Sequence, residues 1–547
     1  MEAGASERSK LIVNEAQSAN KGGWITVPFI IGSMLGLGLA LTGATGNLVV
    51  YLINEYNFTA VDAAQIGNIV GGCTSLAPLV GAVVSDAFFG CYPVVVFSAI
   101  VSFVSLILVT LTAAFRSLQP PPCPSISDAC VPSAGQLAFL YTAMGLMVVG
   151  CGGTNFNMLT FGAHQFDSLG DRDVFFNWSI VVMYAVRIIG STSIVFVEDS
   201  ISWALGYGVS AAANAIAVVL VLLGSKHYRR PAACGSPFTG LARVAVAAIR
   251  KWDVVVAEDD SKYSHGTSEL EESINLRPSQ RFSLLNRAAW ICHGDTRPDG
   301  SIAKPWSLCT VQQVEDFKSL LRVFPLWSSS IFLSVSIGIQ LSLTVLQALT
   351  MDRSLGPRFA IPAGSMVVSS FAATVVSLLL LDRLILPLWH KLSSHPPRPL
   401  LRIGLGHIIN TAGMAASALV ERKRASIVRS HQAESQHGEW VVPMTALWLV
   451  LPLAVTGVAE ALHFPGQVAL YFQAFPRSLR STATGMMAVI IALGFYLSVA
   501  MMGVVRRVTG WLQDDINGSN VENVFWLVTG LTLVNFGYYV LCAKLYE

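Results

Sequence analysis

What this sequence is short of narrows it first. Charge is scarce: 12% of the 547 residues are Asp, Glu, Lys or Arg, against about 25% in soluble domains. The 35 basic and 33 acidic residues leave a net +2, so no nucleic acid or strongly acidic partner is implied. The chain carries no Walker-type loop, no zinc-ligand spacing and no nucleophile elbow, the local patterns that enzyme and metal chemistry need. Neither an enzyme nor a bound cofactor or metal is expected. The nine cysteines do not read as a disulfide framework. Cys73, Cys91, Cys151 and Cys542 sit in or beside apolar runs, where Cys behaves as a small packing residue. Cys123 and Cys130 share the Pro-rich stretch 119–133 and suit a disulfide if that loop is extracytosolic. The first residues contain no apolar core, so no cleaved secretory signal is expected and the first apolar helix serves for insertion.

What is present is hydrophobicity, at 53% of residues and a mean hydropathy of +0.58. A spanning helix needs about 20 apolar residues. Twelve such runs are legible, near 28–53, 63–85, 94–114, 135–161, 176–196, 203–224, 320–349, 361–386, 401–420, 441–472, 483–505 and 525–545. The polar segment 225–318 divides them six and six. The expected organisation is a cytosolic tail (1–23), a six-helix half (24–224), a cytosolic linker (225–318) and a second six-helix half (319–547). Lys226, Arg229, Arg230, Lys391, Arg398, Arg477 and Arg480 place both termini inside by the positive-inside rule, while Arg422, Lys423, Arg424, Arg506 and Arg507 stand against it. Residues 241–252 read as a basic amphipathic helix, lying either on the membrane surface or in solvent. Asp86 and Asp382, the latter followed by Arg383, close the second span of each half, a faint internal echo suited to latching helix ends. Asn57 and Asn517 open glycosylation triplets that this topology puts outside.

Several segments resemble the plant nitrate/peptide transporter family, relatives of the proton-dependent oligopeptide transporters within the major facilitator superfamily. They are Gly23–Gly32 (GWITVPFIIG), Asn47–Leu52 (NLVVYL), Gly162–Asp167 (GAHQFD), Phe175–Trp178 (FFNW), Gly235–Pro237, Pro305–Glu315 (PWSLCTVQQVE), Met351–Arg353 and Phe475–Pro476 with Leu479–Ser481. The resemblance runs through nearly the whole chain. It implies an all-α, twelve-helix bundle of two six-helix halves around a central cavity, moving a small molecule or inorganic anion through the lipid bilayer by rocking of the halves. Stretches such as Ala64–Val70, Ser342–Asp352 and Ala461–Gly466 resemble the nitrate excretion subgroup, which implies passive export of nitrate or chloride at the plasma membrane.

The departures from the family pattern carry the chemistry. Proton-coupled members resemble one another in a first-helix Glu-x-x-Glu-Lys/Arg signature, since a proton-driven carrier needs a carboxylate tuned by a neighbouring base. The matching positions here are Met34, Leu37 and Gly38. The fourth-helix Lys of many members is replaced by Asn155, and a seventh-helix His by Gly338. Asn155 and Gln340 either donate hydrogen bonds to a solute or bridge helices. Glu460 matches the family's tenth-helix acid. A charge at mid-bilayer costs ~2.5–3.5 kcal/mol, so it should face a cavity. His463, three residues on, shares its helix side. The two read as a proton-responsive pair or as interior packing. Arg187, mid-way along the fifth run, either attracts an anion or pairs with Glu460. Asn47 and Tyr51 complete the cavity candidates, and Asp352 with Arg353 suits a gate or helix end. An inside-negative potential expels anions, by about 2.3 kcal/mol per charge and 100 mV. Uptake would need at least two protons per anion, whereas efflux needs none. Facilitated anion efflux is therefore expected. The alternatives are a proton-coupled carrier of a larger plant solute (a glucoside, hormone or peptide) and a non-transporting sensor on a transporter scaffold.

Overall fold

The structure, a computed structural model, describes residues 21–121, 130–230, 237–254, 263–264, 278–297, 302–393, 397–431, 440–475 and 480–546. Among them are 12 helices long and apolar enough to cross a membrane. They are Trp24–Gly46, Ala60–Phe89, Cys91–Ala114, Ala134–Ala163, Gly170–Ser200 and Trp203–Lys226 in the first half. The second half holds Val311–Thr350, Ala363–Trp389, Pro399–Ser430, Ala446–Ala474, Gly485–Thr509 and Val521–Tyr546. They are called spans 1 to 12 below. The tail 1–20 and Cys123 lie outside the described residues.

The internal echo becomes explicit in the packing. Spans 3 and 4, 1 and 6, 2 and 4, 3 and 6, and 1 and 5 pack together in the first half. Spans 9 and 10, 7 and 12, 8 and 10, 9 and 12, and 7 and 11 do so in the second, the same pairs shifted by six. Across the halves, span 2 packs along span 11 and span 5 touches span 8. Asp86 and Asp382 each take the second place of a wide π-turn, Ser85–Phe89 and Leu381–Ile385, at equivalent points of spans 2 and 8.

Glycine decides how closely these helices approach. A Cβ on Gly36 would lie 2.5 Å from the Ala213 carbonyl oxygen, and one on Gly32 2.8 Å from Leu220. The small-residue face of span 1 is thus spent on packing against span 6. Gly81 and Gly152 bring spans 2 and 4 into backbone contact, with only 2.0 Å left for a Gly81 Cβ.

Some boundaries differ from the sequence expectation. Span 1 breaks at Asn47 and resumes as Leu48–Tyr56. Span 7 begins at Val311 rather than near 320, because Thr310 and Gln313 form a capping box that starts the helix in polar sequence. Span 9 runs on to Ser430, because its charged last turns find partners. Arg424 pairs with Glu421, Arg422 approaches Glu522 at 4.0 Å and Lys423 lies over the Trp448 ring. Before span 10, Met351–Asp352 (β1) pairs in parallel with Val442–Thr445 (β2).

The amphipathic linker helix spans Pro237–Arg250. Part of its apolar side packs on protein. Val244 and Ala247 pack with Ala288, Ala289, Trp290, Cys309, Val311 and Val314, and Lys251 forms a buried 2.8 Å ion pair with Asp295. Ile249 and Trp252 remain exposed at its end.

Candidate functional site

Arg187 and Glu460 stand near the middles of spans 5 and 10. Span 5 widens into a π-turn at Gly190–Ile194, three residues past Arg187, a local geometry common at functional sites. The Arg187 guanidinium sits 5.5 Å from the centre of the Phe371 ring on span 8. Its charge acts on Glu460 from span 10, on Cys151 from span 4 and on Tyr184 from its own helix. Spans 5 and 8, one from each half, thus meet at this guanidinium. Arg187 is exposed and Glu460 half-buried, and no N–O approach within 4.0 Å joins them among the described residues. Asn155 is also exposed, and its amide donates to the Cys151 sulfur at 3.2 Å. The result is one cation and one acid at mid-span on opposite halves, with a neutral amide on span 4.

The other cavity candidates lie elsewhere. Tyr51 is fully buried, donates to Thr112 at 2.9 Å and stacks among Tyr56, Trp203 and Tyr207 inside the first half. Gln340 is buried too. It donates to Ser417 and accepts from Thr456, bridging spans 7, 9 and 10. Asn47 is buried against Gly364 at the start of span 8. His463 turns from Glu460 toward span 9, its ring edge-on to His407 at 4.8 Å. Leu37 belongs to an apolar cluster with Met158, Phe161 and Val95, Met34 packs at its edge, and a Cβ on Gly38 would meet Val186, so the first-helix positions carry no ionisable group.

The polar contacts between the halves run from the linker-distal end to mid-depth. Arg506 of span 11 reaches Asp62 of span 2 at 2.7 Å, and Arg353 reaches Asp199 of span 5 at 3.6 Å. Phe359 stacks on Phe196 beside them. Deeper, Asn68 donates to Ser498 and accepts from Ser342, and Tyr496 donates to Cys73. Sequence reading singled out Arg353 but not Asp62, Asp199 or Asn68: the two acids look like ordinary span-end residues, and Asn68 like one more polar residue inside a run, until the halves are docked. Asp352 instead accepts from the Ser354 hydroxyl and amide, which hold its carboxyl below the usual range. Asp382 and Arg383 are exposed and meet each other at 3.7 Å.

At the linker end, the Gln165 side chain accepts from the Arg229 amide and donates to the Arg229 carbonyl, while Arg229 pairs with Asp167 at 2.6 Å. Partial burial and the neighbouring Arg172 hold the His164 imidazole below its ordinary value, and Asp86 pulls the other way. Cys130 is disulfide-bonded. The Asn57 amide donates to Pro121 and Cys130 carbonyls, pinning that loop, and Asn517 accepts from Arg424.

Comparison with known proteins places this architecture. The model of the POT family matches residues 92–518. The chain belongs to the POT family. Protein NRT1/PTR FAMILY 2.7 of Arabidopsis thaliana is 45% identical, over 96% of this chain and 93% of that relative. Protein NRT1/PTR FAMILY 2.6 of the same plant is 42% identical, over 97% and 94%. Among solved structures, an auto-inhibited POT family peptide transporter matches with a TM-score of 0.68 at 18% identity, covering 95% of this chain and 97% of that one. The POT family transporter PepTSo gives 0.68 at 16%, covering 96% and 99%. At such identities these two speak to the fold. As a POT family member the chain is a multi-pass membrane transporter of small molecules.

Proposed function

We propose that this transporter passes a small inorganic anion, nitrate first among them, down its electrochemical gradient and without proton coupling. It would export the anion across the plasma membrane with both termini and the linker on the cytosolic side. One observation carries the reading: an exposed Arg187 guanidinium at mid-depth, with Glu460 at the same depth on the opposite half and not touching it. A lone cation attracts a monovalent anion, and the nearby carboxylate keeps it from being trapped. The apolar packing of Met34, Leu37 and Gly38 removes the family's first-helix proton site from this mechanism. The orientation rests on Lys226, Arg229 and Arg230, at the end of span 6 and directly after it.

The test is purified protein in nitrate-loaded liposomes under an imposed potential. Nitrate should leave at a rate set by voltage, with no proton movement, and Arg187→Gln should slow it by about tenfold, the loss of one charged contact. Uphill accumulation driven by acid on one side would overturn the proposal. The rival, a proton-coupled carrier of a larger solute, is favoured by the retained Glu460. It requires flux of that solute to vanish in Glu460→Gln.

A further inference from the structure

Where the linker meets span 7, one serine adds a polar clip beside the apolar packing of Val311 and Val314. Ser279 lies in an irregular, exposed stretch outside any helix or strand. Its amide donates to Glu315 at 2.8 Å and its hydroxyl to the other carboxylate oxygen at 2.9 Å. The Lys318 ammonium donates to the Ser279 carbonyl at 2.8 Å, lies 3.2 Å from the hydroxyl and pairs with Glu315 at 2.7 Å. Asn286 of the following turn also donates to the Ser279 carbonyl. Glu315 and Lys318 stand in the first turns of span 7, a 40-residue helix. That helix runs to β1 and to Arg353, which pairs with Asp199 at the far end of the bundle. Arg277 and Arg281 flank the serine two residues away on either side.

From this placement we infer that Ser279 is a phosphorylation site for a basic-residue-directed protein kinase, and that its phosphate frees the Ser279 stretch of the linker from Glu315 at the start of span 7. The donor is a nucleoside triphosphate. The Oγ–H bond breaks, an Oγ–P bond forms, the bond between the β- and γ-phosphates breaks, and nucleoside diphosphate and a proton leave. The product carries about −1.5 to −2 charges where a neutral donor met a carboxylate. The hydroxyl can no longer donate to Glu315. The phosphate repels that carboxylate and takes over Lys318, which is already within reach. Span 7 carries the change, since its helix links this clip to the contacts at the far end. The inference holds for whichever solute is carried.

The experiment uses the full chain in lipid nanodiscs with ATP and a basophilic serine/threonine kinase, read by mass spectrometry and amide hydrogen exchange. Ser279 should be labelled, and exchange over residues 279–289 and 311–318 should rise at least fivefold. In Glu315→Gln, where repulsion is gone and a side-chain amide can donate to the phosphate, Ser279 should be labelled equally with exchange unchanged. Three results would overturn the inference: a peptide of residues 273–285 labelled while Ser279 of the folded chain is not, labelling of the chain without a rise in exchange, or the same rise in Glu315→Gln.

Discussion

Arg424 and Glu421 form an ion pair with 1% and 0% of their side chains exposed. Arg424 donates twice to Glu421 at 2.8 Å, and further to Thr350, Asn517 and the Ile516 carbonyl. Gln347 donates to Glu421 at 2.5 Å. This network ties spans 7 and 9 to the loop between spans 11 and 12. Arg424→Ala leaves a buried carboxylate with one neutral donor, and breaking such a pair costs about 3–5 kcal/mol. With an unfolding entropy of roughly 2.1 cal/mol/K per residue, that loss lowers the melting temperature by about 4 °C if the whole chain unfolds together. It lowers it by about 8 °C if the second half unfolds alone. The assay is thermal unfolding in detergent followed by tryptophan fluorescence. The double variant Glu421→Gln, Arg424→Met removes both charges and should recover at least half of the loss, because the penalty is an unpaired charge rather than missing bulk. A fall under about 1 °C for Arg424→Ala, or a double variant no more stable than the single one, would refute the reasoning.

Other outcomes follow from the same contacts. Arg353→Gln removes one partly exposed ion pair and Arg506→Gln two, to Asp62 and Asp514, each worth roughly 0.2–1 kcal/mol. Each variant should shift the halves toward opening at the linker-distal end, read as faster labelling of a cysteine introduced there, with no change expected for Arg383→Gln. Arg229 holds the Asp167 carboxyl below the usual range, so the pair's contribution exists above the unfolded-state value and fades as pH falls through the lowered one. Thermal stability measured against pH should therefore lose its acid-side dependence in part in Asp167→Asn. Gly81→Ala forces a methyl to within 2.0 Å of the Gly152 carbonyl, and overpacking of this kind costs about 1–3 kcal/mol or more. Size-exclusion profiles should show loss of folded protein, while Gly145→Ala, with nothing within 4 Å, should be silent.

Much of the bundle was legible because hydropathy is a local property. Each span announces itself by its own composition, and twelve were found near the places read from the sequence. Glu460 and Arg187 stood out for the same reason, since a charge inside an apolar run is visible without knowing its neighbours. The ends of spans 7 and 9 were not legible, because a capping box and buried ion partners let polar sequence stay helical. Tyr51 and Gln340 look like cavity residues in one dimension, and only their Thr112, Ser417 and Thr456 partners place them in packed interior.

The sequence by itself determined the membrane class, the six-and-six division, the emptied first helix and the presence of one acid and one cation at mid-depth, since these depend only on which side chains are there. The tertiary structure alone decided that Arg187 and Glu460 come from opposite halves to the same depth, and that Asp62, Asp199 and Arg506 join the halves at one end with Asn68 bridging them deeper. It also decided that the linker helix hides part of its apolar face in protein. Those are contacts between residues tens to hundreds of positions apart, and helical periodicity says which way a side chain points on its own helix but not what stands opposite.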